Sequence, residues 1–245
     1  DLGTQFHRAH ASWRRKLSDR VDQDVDIAVG RQSVDIGFGE AFQFNVSGYD
    51  TYGRTEWRGR VSDQVRLIGG FDVFLLPGEF TYKGPPIGQT EGDPNANLSG
   101  GAFSNRGQIT ANDQFVVVQP GVYLETNITL HPWLFVLGNR FDYYREIDAY
   151  SYDPRLSGQY MLTEQVKLKG GVGFFAQPPQ FHETSPKLGN PNLEPTHTLH
   201  VGTGVEYEPA EGYALGVEGF YKHLYDRVVS TEAGQAPFFE NDGVG

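Results

Sequence analysis

Apolar and polar residues alternate with a period of two along most of the chain, a spacing typical of β-strands with two chemically different faces. The clearest segment is VKLKGGVGF, residues 166–174, where apolar residues and glycine alternate with lysine and glycine. Residues 199–207, LHVGTGVEY, repeat the pattern. The pattern predicts strands, and it leaves open whether the apolar face meets lipid on a barrel or packs inside a soluble sandwich.

Successive segments of this kind are separated by short turns, which predicts antiparallel neighbours. In the first half we predict strands over residues 3–17, 21–29, 42–61, 64–82 and 114–130, with another beginning at Trp133. Four further strands are predicted within residues 151–230, and residues 237–245 would begin one more. The fold class is therefore all-β, with about ten or eleven antiparallel strands.

Two polar stretches interrupt the strands, residues 83–112 and 177–195. The first is rich in Gly, Pro, Asn and Ser, and so long a loop is uncommon inside a compact soluble domain. A transmembrane barrel, in contrast, has short turns at one end and long loops at the other. We therefore predict that residues 1–245 form part of a transmembrane β-barrel wall with both stretches as outer loops. Aromatic residues near strand ends, among them Phe80, Tyr82, Tyr144 and Phe175, would form girdles at the membrane boundary.

Composition narrows the possible partners. The net charge of −11 argues against a nucleic-acid partner, because neutralising phosphates needs a basic patch. The chain has no cysteine, so disulfides do not contribute to the fold. It also lacks a run of about 18 apolar residues, so we expect no membrane helix, which is compatible with a barrel. An export signal, if the protein has one, is expected outside these residues.

The sequence contains few candidates for chemistry. Asp22, Asp24 and Asp26 resemble the opening of a calcium loop, but Ile27 stands where glycine is needed and Ser33 where a bidentate Glu is needed. We interpret the three aspartates as a solvated strand face. The sequence has no nucleophile elbow, zinc-protease motif or P-loop, so we expect neither an enzyme nor a cofactor or metal site.

Several motifs follow one another in the second half: PRLSGQY, GGVGFFAQPPQF, GNPNLEPTHTLHVGTGVEY and YALGVEGFYKHLYDRVV. Together they resemble the late barrel segment of TonB-dependent outer-membrane receptors. The upstream LFVLGNRFDYY, residues 134–144, is similar to another strand of that family. The family's loop signature is matched by Asn190, Pro191, Asn192, Leu193 and Pro195. Thr196, which follows directly, stands where this signature commonly has Glu.

The resemblance implies a barrel of about 22 strands that encloses a plug. This chain would then be a partial wall without the plug or the closing strands, completed by the rest of the same protein or by a second chain. The resemblance further implies a place in the bacterial outer membrane, contact with its lipid, and a TonB complex that acts through the missing part. The implied function is import of a scarce nutrient such as a ferric siderophore, cobalamin or a glycan.

The resemblance also suggests roles for individual residues. The expected ligand-side contacts on the outer loops are Phe103, Arg106, Phe181 and His182. The residues expected to line the lumen, facing the plug or pairing across strands, are Arg140, Asp142, Lys167, Lys169 and Glu206.

Two other interpretations remain open at this point. A receptor-like barrel could serve as an adhesin or assembly scaffold without active transport. A soluble all-β domain would show the same alternation with its apolar faces turned inward.

Overall fold

The computed structural model describes residues 2–84, 108–231 and 238–245, and most of them lie in β-strands. In this part of the chain, no helix has the length and apolarity needed to cross a membrane. Two short strands, β11 (Arg227–Ser230) and β12 (Phe239–Gly243), accompany a 3₁₀ turn (Arg145–Ile147) and the one-turn helix α1 (Phe181–Thr184). The ten long strands are β1 (Leu2–Ser18), β2 (Val21–Phe38), β3 (Phe42–Arg60), β4 (Val65–Gly84), β5 (Ile109–Leu130), β6 (Trp133–Tyr144), β7 (Ala149–Met161), β8 (Val166–Gln177), β9 (Thr196–Ala210) and β10 (Tyr213–Tyr225).

Strands β1 to β10 form one antiparallel sheet in which each strand pairs with the next along the chain. Short turns join the strands at one end, the turn end, at residues 19–20, 61–64, 131–132, 162–165 and 211–212. The opposite end, here called the mouth, carries residues 39–41, 145–148 and 178–195, and β4 ends and β5 begins there. Among the described residues, β1 and β10 each pair with one strand only. The meander confirms the all-β antiparallel fold that the alternation predicts and the barrel wall that the short turns and long polar stretches predict.

The sheet exposes its apolar face and shields its polar face, the reverse of a soluble sheet. Val122 and Val201 are 50% and 43% exposed, whereas Glu56 and Asp72 on the opposite face are 6% and 7% exposed. Shielding carboxylates while exposing valine is unfavourable in water, but it suits a wall between lipid and an aqueous interior. We call the apolar face outer and the polar face inner. A soluble sandwich does not fit this arrangement.

The apolar part of the outer face has the height of a bilayer. On β4 the outward positions from Val65 to Leu75 are apolar or glycine, and Glu79 and Lys83 follow toward the mouth. Ten residue steps of about 3.3 Å cover about 33 Å along the strand. A strand tilt of about 40° reduces this to about 25 Å along the membrane normal, the height of an outer-membrane barrel's apolar band. The strand therefore continues past the membrane boundary at the mouth.

Strands β2 to β5 reach farther into the mouth than strands β6 to β8. β5 has 22 residues and β6 has 12. Pairing with β6 begins at Gly121, so residues 109–120 of β5 have no strand partner on that side within the described chain. Residues 178–195 lie against this edge and turn toward the inner face of β3, β4 and β5. The ribbon of β11 and β12 packs on the other side of the same segment.

Part of the aromatic girdle prediction was wrong. Phe80 and Tyr82 are 2% and 3% exposed in a cluster on the inner face, and buried Tyr144 shares a hydrogen bond of 3.1 Å with Ser151. Phe175 likewise lies on the inner face, beneath the Arg155 guanidinium at 5.2 Å. Because neighbouring positions on a strand point to opposite faces, nearness to a strand end alone does not place a ring at the boundary. Phe174, Tyr150, Tyr152 and Tyr221 are exposed, as a girdle requires.

Candidate functional site

A continuous set of ion pairs crosses the inner face from β1 to β3. Arg14 donates to Asp24 at 2.6 Å, and Arg58 forms ion pairs with both Asp24 and Glu56. Glu56 also pairs with Arg54 on its own strand. The register places Arg14, Asp24 and Glu56 side by side on consecutive strands, so the contacts follow directly from the pairing of the sheet.

The set continues across β4, β5 and β6. The Tyr123 hydroxyl donates to Glu56 at 2.6 Å, and Arg54 Nε donates to the same hydroxyl at 2.8 Å. Arg140 lies 5.9 Å from the centre of the Tyr123 ring, and both ends of its guanidinium bind carboxylates. One partner is Asp72, at 2.8 and 2.9 Å, and the other is Asp142, at 2.6 and 2.7 Å. We call this set, from Arg14 to Asp142, the inner belt.

The inner belt is balanced in charge. It contains four arginines, at positions 14, 54, 58 and 140, and four carboxylates, at positions 24, 56, 72 and 142. Each carboxylate has a cationic partner, which offsets the cost of shielding it from water. A cavity of about 740 Å³ lies over this part of the wall, lined among others by Arg54, Asp72 and Tyr123. The surface therefore offers hydrogen-bonding groups without a dominant sign of charge.

A smaller ladder of charges occupies the inner face near the turn end of β8 and β9. Lys167 donates to Glu206 at 3.2 Å and to Glu208 at 2.6 Å, while Lys169 pairs with Glu206 and lies 3.7 Å from Glu218. The structure thus places all five residues expected in the lumen on the inner face. Arg140 and Asp142 belong to the inner belt, and Lys167, Lys169 and Glu206 to this ladder. All five pair within or across strands.

The expected ligand-side residues fall into two groups. Phe103 and Arg106 lie outside the described residues. Phe181 and His182 belong to α1, where the Phe181 ring stacks on Phe115 at 4.4 Å and the His182 ring meets Phe239 edge-on at 6.1 Å. Both are half-buried, so packing occupies much of each ring.

Two titratable groups of α1 lie in apolar surroundings. Burial raises the pKa of the Glu183 carboxyl above its ordinary value. The backbone N–H of Gln180 donates to this carboxyl at 2.6 Å and opposes the shift. Burial lowers the pKa of the neighbouring His182 imidazole. Both side chains are therefore more easily held neutral in this segment than in water.

The matched loop signature has a structural explanation. The Asn190 side chain donates to the carbonyl of Phe239 at 2.9 Å and accepts from the Asn192 amide at 3.0 Å. Leu193 is 2% exposed and packs with Phe239 and Val228, and Pro195 is buried. Pro191 and Asn192 are exposed at the surface. Of the five signature residues, Asn190 and Leu193 thus hold residues 178–195 against the β11–β12 ribbon, and Pro195 is buried.

Sequence reasoning placed Asp24 on a solvated strand face and Arg140 and Asp142 in the lumen, but it did not find the contacts that join them into the inner belt. Asp24, Glu56 and Tyr123 were not expected to act together, because they lie far apart in the chain and meet only through the register of the sheet. Their position on the polar face was the available signal. In the part of the chain that the structure describes, no cluster of three or more His, Asp or Glu residues is arranged to hold a metal ion.

Comparison with solved structures shows a common fold at low sequence identity. The FrpB iron transporter from Neisseria meningitidis aligns with a TM-score of 0.64 at 12% identity, over 99% of this chain and 40% of that one. The copper transporter OprC gives 0.62 at 14% identity, over 93% and 40%. The RagAB peptide transporter gives 0.59 at 11% identity, over 100% and 33%.

The chain spans only 33% to 40% of the length of these three solved structures. No curated protein sequence matches it. The sequence model described as "TonB dependent receptor-like, beta-barrel" matches residues 1–244. That match covers the first half of the chain as well as the motif-bearing second half. The members of this family are transporters of the bacterial outer membrane. With its sheet of reversed polarity and this match over nearly its whole length, the chain belongs to the TonB-dependent receptor β-barrel family.

Proposed function

We propose that this chain is part of the wall of an outer-membrane receptor that imports a scarce nutrient with energy supplied through TonB. The observation that carries the proposal is the reversed polarity of the sheet, with valines such as Val122 exposed and carboxylates such as Asp72 shielded. A wall of this kind separates lipid from an aqueous passage, which an importer requires. The remainder of the barrel would pair with β1 and β10, and a plug would occupy the interior.

The inner belt and the lysine ladder would line that interior. Because Arg140 and Lys167 are already paired with carboxylates of this wall, they would present a preformed polar surface to the plug. Charges that are satisfied in place do not need to rearrange when a solute or a plug segment moves past. The wall therefore acts as a frame, and selectivity for the ligand would lie at the mouth.

The mouth is the proposed ligand side. We propose that residues 83–112, with Phe103 and Arg106, supply contacts to the ligand, because loops positioned by a rigid scaffold commonly carry binding function. Residues 178–195 would form one wall of the entrance, to which Phe181 and His182 present their exposed edges. A ferric siderophore, cobalamin or a glycan remains the proposed class of nutrient. The solved structures that share the fold include an iron, a copper and a peptide transporter, so the fold does not choose among ligands.

Uptake measurements in cells test this proposal. A strain lacking the gene for the full-length protein should take up less of one ligand in a labelled panel of ferric siderophores, cobalamin and oligosaccharides. Adding back the gene should restore uptake, and dissipating the proton gradient should abolish it. Uptake that is unchanged by the deletion for every ligand, or that continues without the gradient, would contradict an energised importer.

A further inference from the structure

The most completely packed part of the described chain lies at the mouth. The largest fully buried side chains are Phe239, Leu188 and Leu193, at 0%, 1% and 2% exposure. Leu188 and Leu193 belong to residues 178–195, and Phe239 to β12. A long barrel connection in solution would be expected to expose such side chains and move. Residues 178–195 instead have a small hydrophobic core on each side.

The first side faces the mouth end of β5. The Ser185 hydroxyl donates to Asp113 Oδ2 at 3.0 Å, and the Lys187 ammonium donates to the carbonyl of Asn112. Asp113 Oδ1 in turn accepts the Gln114 amide at 3.0 Å. These contacts occupy polar groups of the β5 edge that β6 is too short to reach. An exposed strand edge invites pairing with other chains, so this cover also protects the edge.

Apolar packing reinforces the same side. Leu188 joins Phe80, Tyr82 and Ala111 in a buried cluster on the inner face, and Phe181 packs against it. Phe181 lies parallel to Phe115, with ring centres 4.4 Å apart and planes 11° from parallel. Aromatic pairs in such geometry stabilise a contact beyond the area they bury. The segment therefore reaches from β8 and β9 to the inner face of β4 and β5, across the ends of β6 and β7.

The second side faces the β11–β12 ribbon. Asn190 donates to the carbonyl of Phe239 at 2.9 Å. Asn241 donates to the carbonyl of Glu194 at 3.0 Å and accepts the Glu194 amide at 2.8 Å, so its side chain pairs with that residue like a neighbouring strand. Asn241 also donates to the carbonyl of Asp226 at 2.8 Å. A shift of residues 178–195 to a second position would break the hydrogen bonds of Asn190 and Glu194 to the ribbon.

We propose that residues 178–195 form a fixed brace across the mouth, positioned by Asp113 and Asn190, and that ligand enters without the brace moving. The segment is held by polar contacts and a hydrophobic core at both ends, which is the opposite of a lid with few buried contacts. The proposal rests on the proposed uptake function. It assigns any ligand-driven closure to other parts of the mouth, and it makes Asp113 and Asn190 positioning residues of the entrance.

A reversible cross-link tests the brace directly. These 245 residues contain no cysteine. With any cysteine elsewhere in the full-length receptor replaced by serine, the pair Asp113→Cys and Ser185→Cys can be joined by a short bis-methanethiosulfonate reagent. If the brace is fixed, uptake by the cross-linked receptor should stay within two-fold of uptake by the same variant after the cross-link is reduced. A larger fall that the reductant restores would show that the segment must move and would overturn the proposal. The pair Gln165→Cys and Pro209→Cys, in contact at the turn end at 3.3 Å, controls for the reagent.

A second measurement does not depend on transport. Spin labels at Pro186→Cys on the brace and Asp63→Cys at the turn end, both exposed positions, report the distance between them in the purified receptor. A fixed brace gives one narrow distance distribution that every ligand of the uptake panel leaves unchanged. Two populations, or a shift when a ligand is added, would overturn the brace. If wild-type cells take up no ligand, the proposed function is wrong, whereas the width of the distance distribution still shows whether the brace is fixed.

Discussion

Arg140 on β6 binds Asp72 on β4, although β5 lies between the two strands. The two hydrogen bonds measure 2.8 and 2.9 Å and cross the inner face at Gly121. A Cβ atom on Gly121 would overlap both the Arg140 guanidinium and an Asp142 oxygen. The missing side chain at one position of β5 is therefore what allows the inner belt to continue from β4 to β6.

This relationship makes Gly121 sensitive to substitution. Gly121→Ala should displace the Arg140 guanidinium and weaken both of its carboxylate contacts, which lowers stability by about 2 kcal/mol. Unfolding by urea in detergent micelles measures the loss. Gly53→Ala is the control, because a Cβ there meets its nearest neighbour, Val73, at an ordinary 3.7 Å. Equal stability of the two variants would contradict the proposed crossing.

The planar guanidinium of Arg140 is the second target. Arg140→Lys keeps the charge but cannot hold Asp72 and Asp142 at once with two hydrogen bonds each. Since Arg140 is only 28% exposed, the substitution should destabilise the folded barrel by about 2 kcal/mol. The temperature at which the folded form is converted to the unfolded form, read from their separate bands on a gel, reports the change. Arg20→Lys in an exposed turn is the control and should not change this temperature. If Arg140→Lys leaves the temperature unchanged as well, one cationic contact is sufficient.

The membrane boundary can be located with two substitutions on one strand. Val122 and Gln114 both point outward from β5, Val122 within the apolar band and Gln114 beyond it toward the mouth. Val122→Arg should destabilise the inserted barrel by about 2–4 kcal/mol, and Gln114→Arg by about 0–1 kcal/mol. Folding yield into lipid vesicles and unfolding in denaturant measure both. Similar costs at the two positions would contradict a boundary between them.

The brace should respond to pH through two neighbouring side chains. The pKa of Glu183 is raised by burial, so its contribution to brace stability is present at low pH and is lost as pH rises through the raised pKa. The pKa of His182 is lowered by burial, so its contribution is present at neutral pH and is lost as pH falls through the lowered pKa.

Spin-label mobility at Pro186→Cys during urea titration tests both signs. Relative to the otherwise unchanged receptor, Glu183→Gln should raise the urea concentration at which the label becomes mobile at pH 8, and His182→Gln should raise it at pH 5. The Asp63→Cys label in the turn on the opposite side of the wall should show no such pattern. A urea midpoint that neither substitution changes at either pH would show that titration of these groups does not affect the brace.

The predicted strands agreed well with the structure, even at residues 3–17, where the alternation is imperfect. Residues 3–17 correspond to β1 and residues 42–61 to β3, with ends that differ by one residue. The prediction for β2 stopped at Val29, but the strand continues to Phe38, because beyond the apolar band both faces change character and the alternation fades. Lipid imposes the pattern, so the pattern ends where the lipid ends.

The mouth was harder to predict because its structure depends on contacts between distant segments. Residues 178–195 have the composition of a flexible loop, yet Leu188 and Leu193 are buried by partners from β4, β5 and β12. Residues 237–245 were expected to begin the next wall strand, whereas β12 pairs with β11 in a separate ribbon. In the inner belt, the register of the sheet brings Arg54 beside Asp72 and Tyr123 beside Arg140.

The outer face of this sheet meets lipid and the inner face meets water. Single cysteines at residues 116–119 and 122–124 of β5 in the full-length receptor, each carrying a spin label in lipid vesicles, measure this directly. Collisions with oxygen, which concentrates in lipid, should peak at Val116, Val118, Val122 and Leu124. Collisions with a water-soluble nickel complex should peak at the alternate positions. Oxygen and nickel accessibilities that rise and fall together, or outward positions shielded from both, would contradict the barrel wall.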